Sequence, residues 1–82
     1  MVKALVYILI VTKYGRKKEV SNKLLKFKEI EDVHEIFGQY DIIAKVSAPD
    51  MRRLEDFIQK NIRSIKEIEG TQTLVVSDIP SK

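Results

Sequence analysis

Two runs decide the fold: Ile30-Glu31-Asp32-Val33-His34-Glu35-Ile36-Phe37 and Tyr40-Asp41-Ile42-Ile43-Ala44-Lys45-Val46, separated only by Gly38-Gln39. The first alternates with a period of two, and the second is rich in β-branched residues. A glycine-containing break of this length between two such runs predicts a hairpin. Upstream, the period changes: Val20, Leu24 and Phe27 recur at i, i+4 and i+7, with Leu25 alongside and lysines on the other face, which predicts an amphipathic helix over 16–27. Before it, Val2–Thr12 is continuous, β-branched and aromatic, and is closed by Lys13-Tyr14-Gly15, the pattern of a strand and its turn. Downstream, Ala48-Pro49-Asp50 stops the third strand, because proline biases its predecessor to extended geometry and Asp50 can cap the next helix. Met51, Leu54, Ile58, Ile62 and Ile65 form that helix's stripe; Gly70 ends the connection after it, and Thr71–Ser77 reads as the fourth strand before a short polar tail, 78–82.

The order is β-α-β-β-α-β, with residues 1–82 forming one domain. A hairpin between two helices gives the ferredoxin-like, α+β arrangement: a four-stranded antiparallel sheet with both helices on one face and strands one and three at its centre.

Composition explains what such a domain needs. It has 82 residues, of which 44% are hydrophobic and 33% charged, with a net charge of +3. A chain of this size buries only about 60–65% of its unfolded surface. With no cysteine there is no disulfide, and a lone histidine, His34, makes no structural zinc site. No metal or cofactor is expected, so association with another chain is the remaining route to stability. Ile and Val supply 19 residues, against 11 Lys and 7 Glu, a charge load of the thermophile type. The apolar run Ala4–Val11 is too short for a signal-peptide core with its cleavage site or for a membrane span of about 20 residues. A cytoplasmic protein without membrane contact is expected.

The first strand carries a further constraint. Val2, Ala4, Val6, Ile8 and Ile10 point one way, while Leu5, Tyr7, Leu9 and Val11 point the other, so both faces are apolar. Helices cover one face, and an antiparallel sheet with water on its second face would show polar residues there. Only about five residues follow Ser77 to fold back over it. Burying Leu5, Tyr7 and Leu9 would contribute about 1.5–3 kcal/mol per side chain, so a homo-oligomer packed through these three residues is expected.

The same inventory limits chemistry. Ser21, Ser47, Ser64 and Ser77 lie in no nucleophile motif, and Gly15, Gly38 and Gly70 are isolated rather than part of a phosphate loop. A non-enzyme is expected, although small dimeric α+β barrel enzymes share the topology. The RNA-recognition motif shares it too, but that module stacks bases on aromatics of strands one and three, and here the third strand has an aromatic only at Tyr40. Direct nucleic-acid binding is not expected. The basic run Lys13, Arg16, Lys17, Lys18, Lys23, Lys26 and Lys28 reads as a solvated helix face.

The stretch Val33–Val46, together with Ile62–Val76, resembles the RAM (regulation of amino-acid metabolism) domain, the effector-binding half of leucine-responsive regulatory protein/AsnC transcription factors. Full-length members place a helix-turn-helix domain first, whereas here the first RAM-like strand begins at residue 2, so the chain looks like a stand-alone RAM domain. The resemblance implies sheet-to-sheet dimers forming a dimeric α+β barrel, with possible further assembly, and amino acids bound between dimers. Carried over by position, Gly38 lets the backbone approach the ligand, the Gln39 and Tyr40 amides meet its carboxylate, and Asp41 either accepts from its ammonium group or orders the loop. Thr71 and Thr73 would contribute hydroxyls, while Phe57 and Asn61 would line the side-chain pocket; neither is acidic, which argues against a basic amino acid. The implied function is a non-catalytic amino-acid sensor whose ligand-dependent assembly regulates metabolism or transcription. The alternative is a structural subunit that pairs with full-length family transcription factors.

Overall fold

The computed structural model describes residues 3–77. The elements are β1 (Ala4–Thr12), α1 (Lys17–Leu24), β2 (Ile30–Glu35), β3 (Ile42–Ala48), α2 (Met51–Phe57), continued by a π-helical segment (Ile58–Ile62), and β4 (Ile68–Val75). The sheet order is β2-β3-β1-β4 with every pairing antiparallel, which puts β1 and β3 at the centre as the sequence predicts. Val2 of the predicted first strand and the tail at 78–82 lie outside the described residues.

The core forms where alternation meets helical stripes. Val6, Ile8 and Ile10 of β1 sit opposite Val46, Ala44 and Ile42 of β3, and all six are buried. Val20 and Leu24 of α1, then Leu54, Ile58, Ile62 and Ile65, close over them. The intervals Leu54–Ile58–Ile62 are four residues each, and each overshoots a 3.6-residue turn by about 40°. The wider turns of the π-helical segment absorb that overshoot and keep Ile58 and Ile62 on the core side. Asp50 caps α2 as predicted, its carboxylate accepting from the Arg53 amide at 2.8 Å.

Boundaries depart from the sequence expectation in four places. β2 stops at Glu35 and β3 starts at Ile42, so the connection spans Ile36 to Asp41 rather than two residues. α1 ends at Leu24, short of Phe27, and Leu25 is left exposed. α2 keeps α-geometry only to Phe57, and the chain turns after Ile62. β4 begins at Ile68, and Gly70 lies within it, paired with Val11: the register slips between Val11 and Thr12, leaving Glu69 as the extra residue of a bulge beside Gly70 rather than a stop. A second bulge lies in β2, where Ile30 opposes Val46 but Asp32 opposes Lys45, leaving Glu31 as the extra residue.

Candidate functional site

The connection between β2 and β3 is held from two sides. The Asp41 amide donates to the Ile10 carbonyl at 2.8 Å, and the Ile36 amide donates to the Asp41 carbonyl at 2.8 Å, which closes the loop at its base. The Asp41 carboxylate turns inward and accepts from the Thr12 amide at 2.8 Å and the Thr12 hydroxyl at 3.3 Å. Of the two roles open to Asp41, loop ordering is therefore the one for which a contact exists. From α1, the Lys17 ammonium donates to the Ile36 carbonyl at 3.0 Å and lies 4.6 Å from the centre of the Phe37 ring. Phe37 itself is 98% exposed.

Between these anchors the chain presents backbone. Gly38 has φ +134°, a conformation that L side chains rarely adopt, yet a Cβ there would meet nothing within 4 Å, so the requirement for glycine is conformational alone. No described backbone carbonyl accepts from the amides of Gly38, Gln39 or Tyr40. Three successive donors on an exposed loop can serve a carboxylate. The Tyr40 hydroxyl donates to Gln72 Oε1 at 2.6 Å and so ties the loop to β4.

The remaining predicted residues lie elsewhere. Thr71 and Thr73 do share a face of β4, but they oppose Ile10 and Ile8 and therefore lie on the helix side of the sheet, whereas Gln72 opposes Leu9 on the other side. Thr73 lines a groove of about 260 Å³ between β4 and α2, together with Met51, Ile58 and Val75. Phe57 is core: it is 6% exposed and packs edge to face on Phe27, ring centres 5.3 Å apart at 81°. The Asn61 side-chain amide donates to the Phe57 carbonyl at 3.3 Å, bracing the π-helical turn. One copy thus gathers Gly38, Gln39, Tyr40 and Asp41 in the loop, while Thr71, Thr73, Phe57 and Asn61 lie on the helix side of the sheet.

The helix-free face of the sheet is the second feature. Leu5, Tyr7, Leu9 and Val11 are all partly exposed there, in contrast to the buried Val6, Ile8 and Ile10. The apolar stripe does not extend across every strand. Beside it β3 contributes Ile43, Lys45 and Ser47, β4 contributes Gln72 and Leu74, and β2 contributes Asp32 and His34. Tyr7, Asp32, His34, Ile43 and Lys45 line a hollow of about 180 Å³. At one corner the bulged Glu31 accepts from the Ser47 hydroxyl and pairs with Lys3 at 3.4 Å and Lys45 at 3.6 Å. The Ser47 hydrogen bond, reinforced by both lysines, holds the Glu31 carboxyl below the usual glutamate range.

Lys17, Thr12 and Gln72 escaped the sequence reading. Lys17 is one lysine among many on a basic helix, and Thr12 is an ordinary strand residue. Only the alternation Thr71-Gln72-Thr73 signalled that Gln72 faces away from its neighbours. Among the described residues no three His, Asp or Glu side chains converge as metal ligands, and no helix is long and apolar enough to cross a membrane.

Comparison with known proteins adds the lineage. The profile described as the Lrp/AsnC ligand binding domain matches residues 5–82. The HTH-type transcriptional regulator FL11 of Pyrococcus furiosus is 39% identical over 72 residues, 88% of this chain and 47% of the regulator. The chain therefore spans about half the length of such relatives, and their source fits the Lys- and Glu-rich composition. A segment of the homocitrate synthase of Sulfurisphaera tokodaii is 39% identical over 57 residues, 70% of this chain and 12% of that enzyme. Among solved structures, the hypothetical protein PHS023 of Pyrococcus horikoshii superposes with a TM-score of 0.87 at 36% identity, covering 89% of this chain and 88% of that one.

Proposed function

Because the chain belongs to the Lrp/AsnC ligand-binding domain family, we propose that it is a non-catalytic, cytoplasmic sensor that binds a small amino acid and assembles with copies of itself in response. The observation that supports this is the loop at 36–41. Its base is fixed by the Asp41–Thr12 bonds, and its tip offers the amides of Gly38, Gln39 and Tyr40 without backbone acceptors. Successive amide donors without backbone acceptors, on an exposed loop whose base is tied down, suit an α-carboxylate, because less of the loop is left to order on binding.

Among the described residues no side-chain hydrogen bond joins Gly38, Gln39, Tyr40 or Asp41 to Thr71, Thr73, Phe57 or Asn61, which fits a binding cleft completed by another copy. The helix-free face supplies the means: Leu5, Tyr7 and Leu9 form the centre of a homodimer interface, from which higher assembly proceeds. The regulatory partner is a transcription process, by analogy with relatives such as FL11, reached through pairing with full-length family members rather than by direct contact with nucleic acid.

Thermal-shift titration against the twenty amino acids tests the sensor. A ligand that binds only the folded state raises stability by about 2.7 kcal/mol at a hundred times its Kd, so a concentration-dependent rise in melting temperature for one or a few amino acids is expected. An intact oligomer with no response to any of them would favour a purely structural subunit, which the exposed apolar stripe alone supports.

A further inference from the structure

A cavity of about 510 Å³ lies at the end of the sheet away from the 36–41 loop. Its wall includes Lys3, directly before β1, whereas Thr12, which holds Asp41, is the last residue of that strand. At the rise of an extended chain the two ends of β1 are about 30 Å apart, so the cavity shares nothing with the loop. Its volume falls within the range of small-molecule sites, about 300–1,000 Å³.

The lining is chemically selective. Lys3, Lys28 from the connection before β2 and Arg53 from α2 bring three cations to the wall, against the single carboxylate of Glu29. Among the described residues Lys28 pairs with no carboxylate, and Glu29 pairs with no cation. Arg53 meets Asp50 through Nε, at 3.6 Å, which leaves the fork of its two Nη atoms for another acceptor. Lys3 reaches Glu31 at 3.4 Å, but that carboxylate also takes the Ser47 hydroxyl and Lys45, so the Lys3 ammonium keeps donors to spare. Like charges gathered around one space are unfavourable until an anion enters it, and a phosphate dianion suits a guanidinium fork beside an ammonium. Glu29 repels a bare phosphate yet accepts from hydroxyls, as acidic side chains do from ribose in dinucleotide sites. Ala48 and Pro49 add an apolar wall for a carbon skeleton.

We propose that this cavity binds a phosphorylated sugar, free or as the ribose phosphate of a nucleotide, with the phosphate on Lys28 and Arg53, Lys3 at its edge, and sugar hydroxyls donating to Glu29. It is a second small-molecule site at the opposite pole of β1, and it does not depend on the amino-acid site.

Isothermal titration calorimetry of the full chain at fixed ionic strength, with ribose-5-phosphate, adenosine monophosphate, inorganic phosphate and ribose as probes, tests this. Saturable binding of at least one phosphate ester is expected, roughly tenfold tighter than inorganic phosphate, with no heat from ribose; the tighter of the two esters identifies the source. Lys28→Gln and Arg53→Gln should each weaken it about tenfold. Lys13→Gln, the same charge loss beyond the far end of β1, should change it less than about twofold. Glu29→Ala should weaken the ester while tightening inorganic phosphate, opposite signs that general damage to the fold would not produce. Circular dichroism verifies that each variant is folded. Absence of saturable binding by both esters at millimolar concentration would overturn the proposal. So would equal losses in Lys13→Gln and Lys28→Gln, which would reduce the effect to diffuse charge attraction, or Glu29→Ala tightening ester and inorganic phosphate alike. A single-stranded oligonucleotide that displaces the ester at lower phosphate concentration would assign the cations to nucleic acid and also overturn it. The amino-acid thermal-shift response is read separately, so failure here leaves the sensor reading standing.

Discussion

Replacing Asp41 by alanine tests how the candidate site is held together. The Asp41 carboxylate accepts from both the amide and the hydroxyl of Thr12, a residue 8% exposed. Removing it leaves a buried amide without an acceptor, at a cost of about 1–3 kcal/mol, and a hydrogen bond to a charged group falls in the same range. For a loss of about 2 kcal/mol in a domain of this size, the melting temperature should drop by roughly 8–16 °C. Asp41→Asn keeps a side-chain oxygen and should lose markedly less. Melting is followed by circular dichroism at one fixed protein concentration, since association makes the midpoint concentration-dependent. Hydrogen exchange at the Thr12 amide should accelerate in the alanine variant, together with the amides of the loop. If Asp41→Ala melts within about 2 °C of the parent, corresponding to less than about 0.5 kcal/mol, or if asparagine is as damaging as alanine, the inward carboxylate is not what orders this loop. Where Asp41→Ala does melt lower as expected, any weakened amino-acid binding follows from loop mobility rather than from loss of a direct contact.

Leu9→Lys should reduce the assembly to its 9.5 kDa monomer in light scattering; an unchanged oligomer would show that another face mediates association. Gly38→Ala at φ +134° should lower stability by about 1–3 kcal/mol through backbone strain alone, and an unaltered urea midpoint would contradict the conformational role. The Lys23–Glu67 pair, 2.7 Å apart with Glu67 6% exposed, gives a pH signature. The Lys23 hydrogen bond holds the Glu67 carboxyl below its ordinary 4.5 and raises the lysine above its ordinary 10.5. The glutamate's contribution is thus complete above 4.5 and disappears as pH falls through its lowered folded value; the lysine's is complete below 10.5 and disappears as pH rises through its raised one. Urea melts of the parent and Glu67→Gln should differ most near neutrality and converge in acid, and an equal gap at neutral and strongly acidic pH would refute the pairing.

Topology was legible because it rests on periodicities that survive packing. The change from period two to the helical period at Val20, Leu24 and Phe27, and back again at Ile30, marks where the chain changes element, and burial of one side of each element follows. The doubly apolar β1 was equally readable, since its face pattern involves no long-range information. What could not be read depends on register. Thr71 and Thr73 were seen to share a face, but only the pairing of β4 with β1 decides that it is the helix side. Gly70 reads as a stop, yet its pairing with Val11 beside the Glu69 bulge depends on the neighbouring strand. The two possible roles of Asp41 differ only by whether Thr12 is within reach, a contact across 29 positions of sequence. Lys17 acts through a carbonyl, and no sequence pattern distinguishes it from Lys18 or Lys23, which find the carboxylates of Glu35 and Glu67.

The bulges of the two outer strands bear on how the sheet edges meet other chains. An extra residue interrupts the ladder of each outer strand: Glu31 in β2, beside Asp32, His34 and Glu35, and Glu69 in β4. Polymerisation by strand addition needs two receptive rims, one to give and one to take. With both rims interrupted and charged, strand addition is disfavoured at either edge of a sheet rich in Ile and Val.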